Sequence, residues 1–183
     1  MKKISVLLLA VCAAVFAQAA SIDWSVSASK SNKIYGADGT TVFGKTSGDV
    51  AYLILADSAD SIKDALAAGT FSASTEGVVG TASGYSTNGG INSSTATSSS
   101  LQENKAYDFA ILMVNGDQSQ YVMTAPISAT TSDPDTVRDV QFTYAAVKAA
   151  GWQTAGGGDV PEPTSGLLLL VGGAMLALRR KQK

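Results

Sequence analysis

The stretch AYDFAILMV at residues 106–114, followed at once by Asn115-Gly116-Asp117, decides the fold of this chain. An apolar run of this length, interrupted only by Asp108, is typical of a strand that is buried on both faces. An Asn-Gly pair after such a run is the strongest short-range hairpin signal that a sequence contains. Residues 120–125 are then expected to return as the second strand. The segment therefore predicts an antiparallel β-hairpin.

Three further segments carry strand patterns. Residues 50–56, VAYLILA, are apolar on both faces and predict another central strand. In residues 22–29, Ile, Trp, Val and Ala alternate with Asp and Ser, which predicts a half-buried antiparallel strand with one face in water. Residues 137–144 alternate in a similar way and predict a late strand. Trp152 is expected to close the core.

One or two short helices are expected between the strands. Asp60 or Ser61 can cap a first helix, and Gly69 stands where a helix C-terminus favours glycine. Residues 144–150 are rich in alanine and can form a second helix at the end of the late strand.

Residues 72–100 consist mostly of Ser, Thr, Gly and Asn, with few side chains to bury. This composition predicts a polar loop, with an edge strand at residues 77–81. Taken together, the patterns predict a mainly β fold: a small antiparallel β-sandwich-like domain with one or two short helices.

Residues 39–46, GTTVFGKT, match the phosphate-loop pattern G-x-x-x-x-G-K-[ST]. Such a loop has to follow a buried strand and open a helix, whose N-terminus receives the phosphates. Here Ala37-Asp38-Gly39 predicts a turn between residues 33–35 and 40–43, and the chain then continues towards the strand at residue 50. The match is therefore expected to be a hairpin strand and its turn.

The N-terminus has the three parts of a secretory signal peptide. Lys2-Lys3 precedes an apolar core at residues 4–16, and Ala17-Gln18-Ala19 forms a small-x-small cleavage site. The mature chain is therefore predicted to begin at Ala20. A lipoprotein signal ending at Cys12 is the alternative, but the valine before it is larger than the residue that normally precedes a lipidated cysteine.

At the other end, Pro161-Glu162-Pro163 precedes an apolar run at residues 167–178 and the basic cluster Arg179-Arg180-Lys181. A helix over residues 164–178 would be about 22 Å long, against roughly 30 Å for the hydrocarbon core of a bilayer. The basic cluster favours the cytoplasmic side of the membrane. The preceding domain is therefore predicted to lie outside the cytoplasm. An ordinary tail anchor would share the run and the charges, but it gives no reason for the tripeptide.

This order of tripeptide, short membrane segment and basic cluster resembles the PEP-CTERM sorting signal of Gram-negative bacteria. The resemblance covers residues 161–183, about an eighth of the chain. It implies export, transient anchoring in the inner membrane, handling by an exosortase-type transpeptidase, and display on the cell envelope or in extracellular polysaccharide. It implies nothing about the activity of the domain between the two ends.

Without its two ends the chain is acidic. Residues 20–160 contain 14 acidic and seven basic side chains, a net charge of −7, against −2 for the whole chain. This charge argues against nucleic acid as a partner, because phosphates require Lys and Arg. The one cysteine lies in the signal, so no disulfide is expected. About 140 residues suffice for one domain with a single core.

The chain contains no histidine, which limits its chemistry. Histidine is the usual general base near neutral pH and the commonest metal ligand, and the mature chain has no thiolate for zinc. Carboxylates for glycoside cleavage are available, but no pair stands out. Asp133, Asp135 and Asp139 lack the spacing of a calcium loop. The sequence therefore assigns no catalytic residue, cofactor or metal.

The aromatic residues give the one hint of ligand binding. Three or more exposed rings on one sheet face would favour carbohydrate binding, whereas rings in phase with apolar neighbours belong to the core. Most rings here fall within predicted strands, so core packing is expected. Tyr85, in the polar segment, is the ring expected at the surface.

These observations predict a signal peptide at residues 1–19, an exported β-rich domain at 20–154, a glycine-rich linker at 155–160, and a sorting signal at 161–183 with a transmembrane segment at 164–178. Signal peptidase, the export machinery and the transpeptidase are the expected partners. The leading hypothesis is an exported, non-catalytic cell-surface or extracellular-matrix protein. A carbohydrate-binding surface module is the first alternative, and a glycan-acting hydrolase with paired carboxylates is the second.

Overall fold

The computed structural model describes residues 20–45, 48–132 and 139–156. Within these ranges the elements follow the order β1 (Ala20–Ser27), β2 (Val50–Leu55), α1 (Ala59–Ala67), β3 (Val78–Thr81), β4 (Ile91–Ser98), β5 (Ala106–Val114), β6 (Gln120–Met123), β7 (Ile127–Thr130), β8 (Asp139–Thr143), α2 (Tyr144–Ala150) and β9 (Gln153–Thr154). One sheet has the strand order β4-β1-β8, and the other has the order β3-β2-β5-β6-β9, with β7 also paired to β5. The predicted mainly β fold with antiparallel sheets is confirmed.

The two central strands of the larger sheet are buried on both faces. Leu53 of β2 lies opposite Ile111 of β5, and both belong to a hydrophobic cluster shared with the smaller sheet. On the other face, Ile54 and Leu112 pack in a second cluster with Ile62 of α1. Both strands are therefore apolar on both faces, as the sequence predicts, except at the start of β5, where Ala106 and Asp108 are exposed.

The hairpin predicted at Asn115-Gly116-Asp117 joins β5 to β6. The Asn115 N–H donates to the Gln120 carbonyl oxygen at 3.1 Å, and the Asn115 side chain accepts from the Gln120 N–H at 2.9 Å. The left-handed residue of the loop is Gln118, with φ 59°, and not Gly116. The dipeptide therefore marks the hairpin correctly, but the loop is longer than the two-residue turn it usually forms.

The smaller sheet departs from the prediction at one pairing. β1 pairs antiparallel with β4, but its pairing with β8 is parallel, with Trp24 opposite Val140. The half-buried character of β1 is as predicted, because Ile22, Trp24 and Val26 are buried while Ser27 is exposed. An entirely antiparallel sheet is wrong here, because the long path through the larger sheet returns the chain in the same direction as β1.

β4 lies within residues 72–100, for which the sequence predicts a polar loop with a single edge strand. Its inward side chains Ser94 and Ala96 are 3% and 2% exposed, and they alternate with the exposed Thr95 and Thr97. The period of two is present, but the buried residues are too small to mark it. The prediction for 77–81 is confirmed, since β3 forms one edge of the larger sheet.

Both short helices are present, although the first has a different cap. Ser58 is the N-cap residue of α1, without a side-chain capping bond, so Asp60 and Ser61 lie inside the helix. Gly69, with φ 67°, follows the C-terminus of α1 as predicted.

Candidate functional site

A cleft of about 230 Å³ opens between residues 33–39, β6 and α2. We call it the aromatic cleft, because three rings and two amines line it together with apolar side chains of β6 and α2. The rings and amines belong to Tyr35, Tyr144, Trp152, Lys33 and Lys148.

Contacts with the core fix Trp152 in the aromatic cleft. Its Nε1–H donates to the carbonyl oxygen of Tyr35 at 3.1 Å. The indole also packs against Phe43, with ring centroids 6.0 Å apart and an interplanar angle of 37°. Trp152 therefore packs on the core as predicted and lines the cleft as well. A ring that is held before binding loses little freedom when a ligand arrives.

α2 brings an aromatic ring and a cation to the same wall. Tyr144 and Lys148 are four residues apart and so lie one above the other on the helix, with the Lys148 Nζ 5.8 Å from the Tyr144 ring centroid. The Thr143 hydroxyl caps the helix by accepting from the Ala146 N–H at 3.3 Å. After α2, Gly151 adopts φ 64°, which turns the chain towards Trp152.

Lys33 and Lys148 are the charged residues among those described as lining the aromatic cleft. The carboxylates nearby belong to a neighbouring cavity, which shares Gly36 with the cleft. The ion pair found within the described ranges joins Lys63 to Asp60 on α1, away from the cleft.

The prediction that Tyr85 lies at the surface is wrong. Its hydroxyl oxygen accepts a hydrogen bond from the Ala51 N–H at 2.8 Å, and its ring packs edge-on against Phe43 at 5.3 Å. Gly44 permits this, because a side chain there would overlap the tyrosine ring. Burial raises the pKa of Tyr85. Tyr35, which is 41% exposed, is the ring that reaches solvent instead.

Rings in the strands pack in the core, as expected. Trp24, Tyr52 and Tyr121 are at most 9% exposed. Tyr107 is half-buried and lies away from the aromatic cleft, with the Lys105 Nζ 5.2 Å from its ring centroid. Binding through aromatic rings is therefore best supported at the cleft and not on a flat sheet face.

A second cavity, of about 440 Å³, is lined by the carboxylates Asp38, Asp49 and Asp117. Each of them accepts hydrogen bonds that organise a nearby turn. Asp38 accepts from the N–H groups of Thr40 and Thr41 at 2.9 and 2.8 Å, Asp117 accepts from the Ser119 N–H at 3.0 Å, and Asp49 accepts from the Gly44 N–H at 3.3 Å. We call this site the acidic cavity.

The surroundings of these carboxyl groups move their pKa values in opposite directions. Hydrogen bonds from Thr41 and Thr40 lower the pKa of Asp38 from 3.8 to about 2, and those from Ser119 lower the pKa of Asp117. Burial raises the pKa of Asp49, which is 7% exposed. Glycosidases use carboxyl pairs whose pKa values are pushed apart. Here each carboxylate is engaged by its own turn, which favours a structural role.

Replacing Asp38 by alanine is expected to destabilise the protein at neutral pH and to lose that effect in acid. The folded pKa of about 2 is below the unfolded value of 3.8, so the carboxylate contributes fully above about pH 4. This contribution is lost as the pH falls through about 2. Urea unfolding of wild type and Asp38→Ala at several pH values measures the difference.

Asp38→Asn is the matched control, because its side-chain oxygen can still accept from the Thr40 and Thr41 N–H groups. It should retain more stability at neutral pH than Asp38→Ala. A difference between wild type and Asp38→Ala that stays constant from neutral pH to about pH 2 would contradict the assignment of the lowered pKa.

The segment that matches the phosphate-loop pattern forms a turn at Gly39, with φ 69°. Tyr35 and Val42 pair across it through a single β-bridge, so the expected two-strand hairpin is reduced to one bridge. Residues 48 and 49 then lead into β2. The segment therefore has the predicted turn but not two full strands.

Clustered acidic side chains can bind metal ions. In the part of the chain that the structure describes, no group of three His, Cys, Asp or Glu is arranged to hold a metal ion. Asp133 and Asp135, two of the three aspartates noted in the sequence, lie outside the described residues.

Most residues assigned to sorting lie outside the described residues: Ala17, Ala19, Pro161, Glu162, Pro163, Arg179, Arg180 and Lys181, together with segment 164–178. Ala20 is the exception. It is the first residue of β1, it is fully buried, and it pairs with Ser98 of β4. Across residues 20–45, 48–132 and 139–156, no helix has the length and apolar character needed to cross a membrane.

Comparisons with protein-family models, curated proteins and solved structures found no match to this chain.

Proposed function

We propose that this chain is an exported, non-catalytic protein of the cell surface or extracellular matrix, delivered through a PEP-CTERM-like sorting signal. The export machinery moves the chain across the inner membrane, and signal peptidase cuts between Ala19 and Ala20. An exosortase-type transpeptidase recognises Pro161-Glu162-Pro163 while residues 164–178 hold the protein in the membrane. The basic cluster Arg179-Arg180-Lys181 keeps the C-terminus on the cytoplasmic side.

The observation that carries the proposal is the order of three sequence features near the C-terminus: Pro161-Glu162-Pro163, the apolar run at residues 167–178, and the basic cluster Arg179-Arg180-Lys181. The three-part pattern at residues 2–19, with its small-x-small site before Ala20, supports export independently.

The tripeptide suits recognition by a membrane transpeptidase. Pro161 and Pro163 fix φ and remove two N–H donors, so a helix is disfavoured at the motif. The residue before each proline is also restricted to extended conformations. An extended peptide is the form that the active site of a protease-like enzyme binds, with the Glu162 side chain available for recognition.

Glu162→Ala is expected to block C-terminal processing, so that the uncut precursor accumulates in the membrane. The chain should be expressed in a Gram-negative host that carries an exosortase-type transpeptidase. Membrane fractionation and mass spectrometry of the C-terminus distinguish precursor from product.

Glu76→Ala is the control for this experiment, because Glu76 is an exposed glutamate outside the motif. It should be processed like wild type. Normal processing of Glu162→Ala in the same host would overturn the assignment of the sorting signal.

The aromatic cleft favours a second candidate function, a carbohydrate-binding surface module. Tyr35, Tyr144 and Trp152 meet in one concave site, and the indole is already fixed by its hydrogen bond to Tyr35. Sugar rings present apolar C–H faces that pack on aromatic rings, while their hydroxyl groups remain available to polar neighbours. A hydrolase receives less support, because the carboxylates of the acidic cavity are engaged in turns.

A further inference from the structure

We infer that the aromatic cleft binds one acidic sugar residue of a polysaccharide, with Lys33 and Lys148 contacting its carboxylate. This inference rests on the second proposed function, carbohydrate binding, and adds the charge class of the ligand.

The three rings provide the apolar part of the site. Tyr35 is 41% exposed and so presents its ring to solvent. The polar atom of Trp152 is satisfied within the protein, because Nε1–H donates to the Tyr35 carbonyl oxygen at 3.1 Å. The indole therefore offers the cleft an apolar surface whose orientation is set in advance.

The two lysines provide the charge. Both line the cleft from different parts of the chain, Lys33 from the segment before Tyr35 and Lys148 from α2, where its Nζ lies 5.8 Å from the Tyr144 ring centroid. Charge-assisted hydrogen bonds from ammonium groups to a carboxylate are stronger than those between neutral groups. The nearest turn carboxylate in sequence, Asp38, is occupied by the Thr40 and Thr41 N–H groups and lines the neighbouring acidic cavity, which shares Gly36 with the cleft.

The volume of the aromatic cleft and the net charge of the domain limit how much of a polysaccharide the protein can bind. A cavity of about 230 Å³ is smaller than the typical drug-sized pocket, so it suits a single ring. Residues 20–160 carry a net charge of −7, so the rest of the surface does not attract a polyanion. One sugar carboxylate held between two lysines fits both limits.

The test is titration of the full-length protein in detergent with an oligosaccharide of glucuronic acid and with a neutral glucose oligosaccharide of equal length, followed by calorimetry. Wild type should bind the acidic ligand at least about tenfold more tightly, which corresponds to about 1.4 kcal/mol. The preference should shrink as salt is raised, because screening weakens exposed charge pairs.

The double variant Lys33→Gln, Lys148→Gln should bind both oligosaccharides with similar affinity. Lys63→Gln, on α1 and outside the cleft, is the matched control and should keep the preference of wild type. Thermal unfolding establishes that each variant is folded, and the salt dependence of wild type tests the inference without any variant.

Each remaining outcome is informative. Equal affinity of wild type for both ligands would overturn the acidic-sugar inference and leave carbohydrate binding in place. A preference that survives in the double variant would also overturn it. Failure of wild type to bind either ligand would overturn the inference together with the carbohydrate-binding function.

Discussion

Trp24→Ala is expected to lower the free energy of unfolding by about 3–5 kcal/mol, the usual cost of removing a large aromatic side chain from a core. Trp24 is 1% exposed and lies in the cluster that joins the two sheets. Small domains are stable by about 5–15 kcal/mol, so the variant should be marginally folded. Urea unfolding followed by far-UV circular dichroism measures the loss without relying on tryptophan fluorescence.

Trp24→Phe is the informative control. The Trp24 Nε1–H is buried without a hydrogen-bond acceptor in the described residues, and Nε1 lies 3.3 Å from the position that a Cβ at Gly80 would occupy. Removing an unsatisfied donor recovers about 1–3 kcal/mol, which offsets much of the cost of the lost ring volume. The free energy of unfolding of Trp24→Phe should therefore lie within about 1 kcal/mol of the wild-type value. A loss as large as that of Trp24→Ala would show that the indole shape, and not its orphaned N–H, dominates.

Gly89→Ala is expected to destabilise the protein by about 2–5 kcal/mol, by a different mechanism. Gly89 has φ 78°, and a methyl group there would overlap the carbonyl oxygen of Ile34. That backbone cannot move freely, because the Ile34 N–H donates to Asn88 at 2.9 Å and its carbonyl oxygen accepts from Phe43 at 3.0 Å. The left-handed conformation costs about 1–2 kcal/mol for alanine, and overpacking adds about 1–3 kcal/mol.

Gly69→Ala separates the two contributions. Gly69 has a similar φ of 67°, but a methyl group there meets no atom within 4 Å. Its substitution should cost only the conformational term, about 1–2 kcal/mol. Equal losses in Gly69→Ala and Gly89→Ala, measured by the same urea unfolding, would show that the Ile34 backbone yields to the added methyl group.

The central strands could be predicted from the sequence because both of their faces are buried. β2 and residues 109–114 of β5 are enclosed by the smaller sheet on one face and α1 on the other, which favours apolar side chains on both faces. The hairpin loop was also marked, since Asn115-Gly116 is a local signal. Features that depend on local conformational preference or on complete burial can therefore be predicted from the sequence.

Other features depend on packing between distant segments. The buried face of β4 carries the small side chains of Ser94 and Ala96. β3 of the other sheet lies so close to this face that larger side chains would not fit. A methyl group at Gly80 of β3 would overlap the Ala96 side chain. The parallel pairing of β1 with β8 is likewise set by the path of the intervening chain. Neither the strand β4 nor this parallel pairing can be predicted from residue composition.

The aromatic cleft could be predicted only in part. The sequence singles out Trp152 and the tyrosines, but the cleft gathers residues 33–39, 122 and 144–152 in space. The sequence predicts Tyr85 at the surface, but the ring packs into the space beside Gly44. That contact joins distant segments, so local sequence does not reveal it. The role of the two lysines has no local signal, since Lys33 and Lys148 lie far apart in the sequence.

The position of Ala20 has a consequence for the order of folding. This residue is buried at the start of β1, and its neighbour Ser21 bonds to Thr97, 76 residues further along. β1 therefore has to stay unpaired until a much later part of the chain has been synthesised, and such long-range pairing is slow. Under the export route that we propose, cleavage before Ala20 would have to precede this pairing.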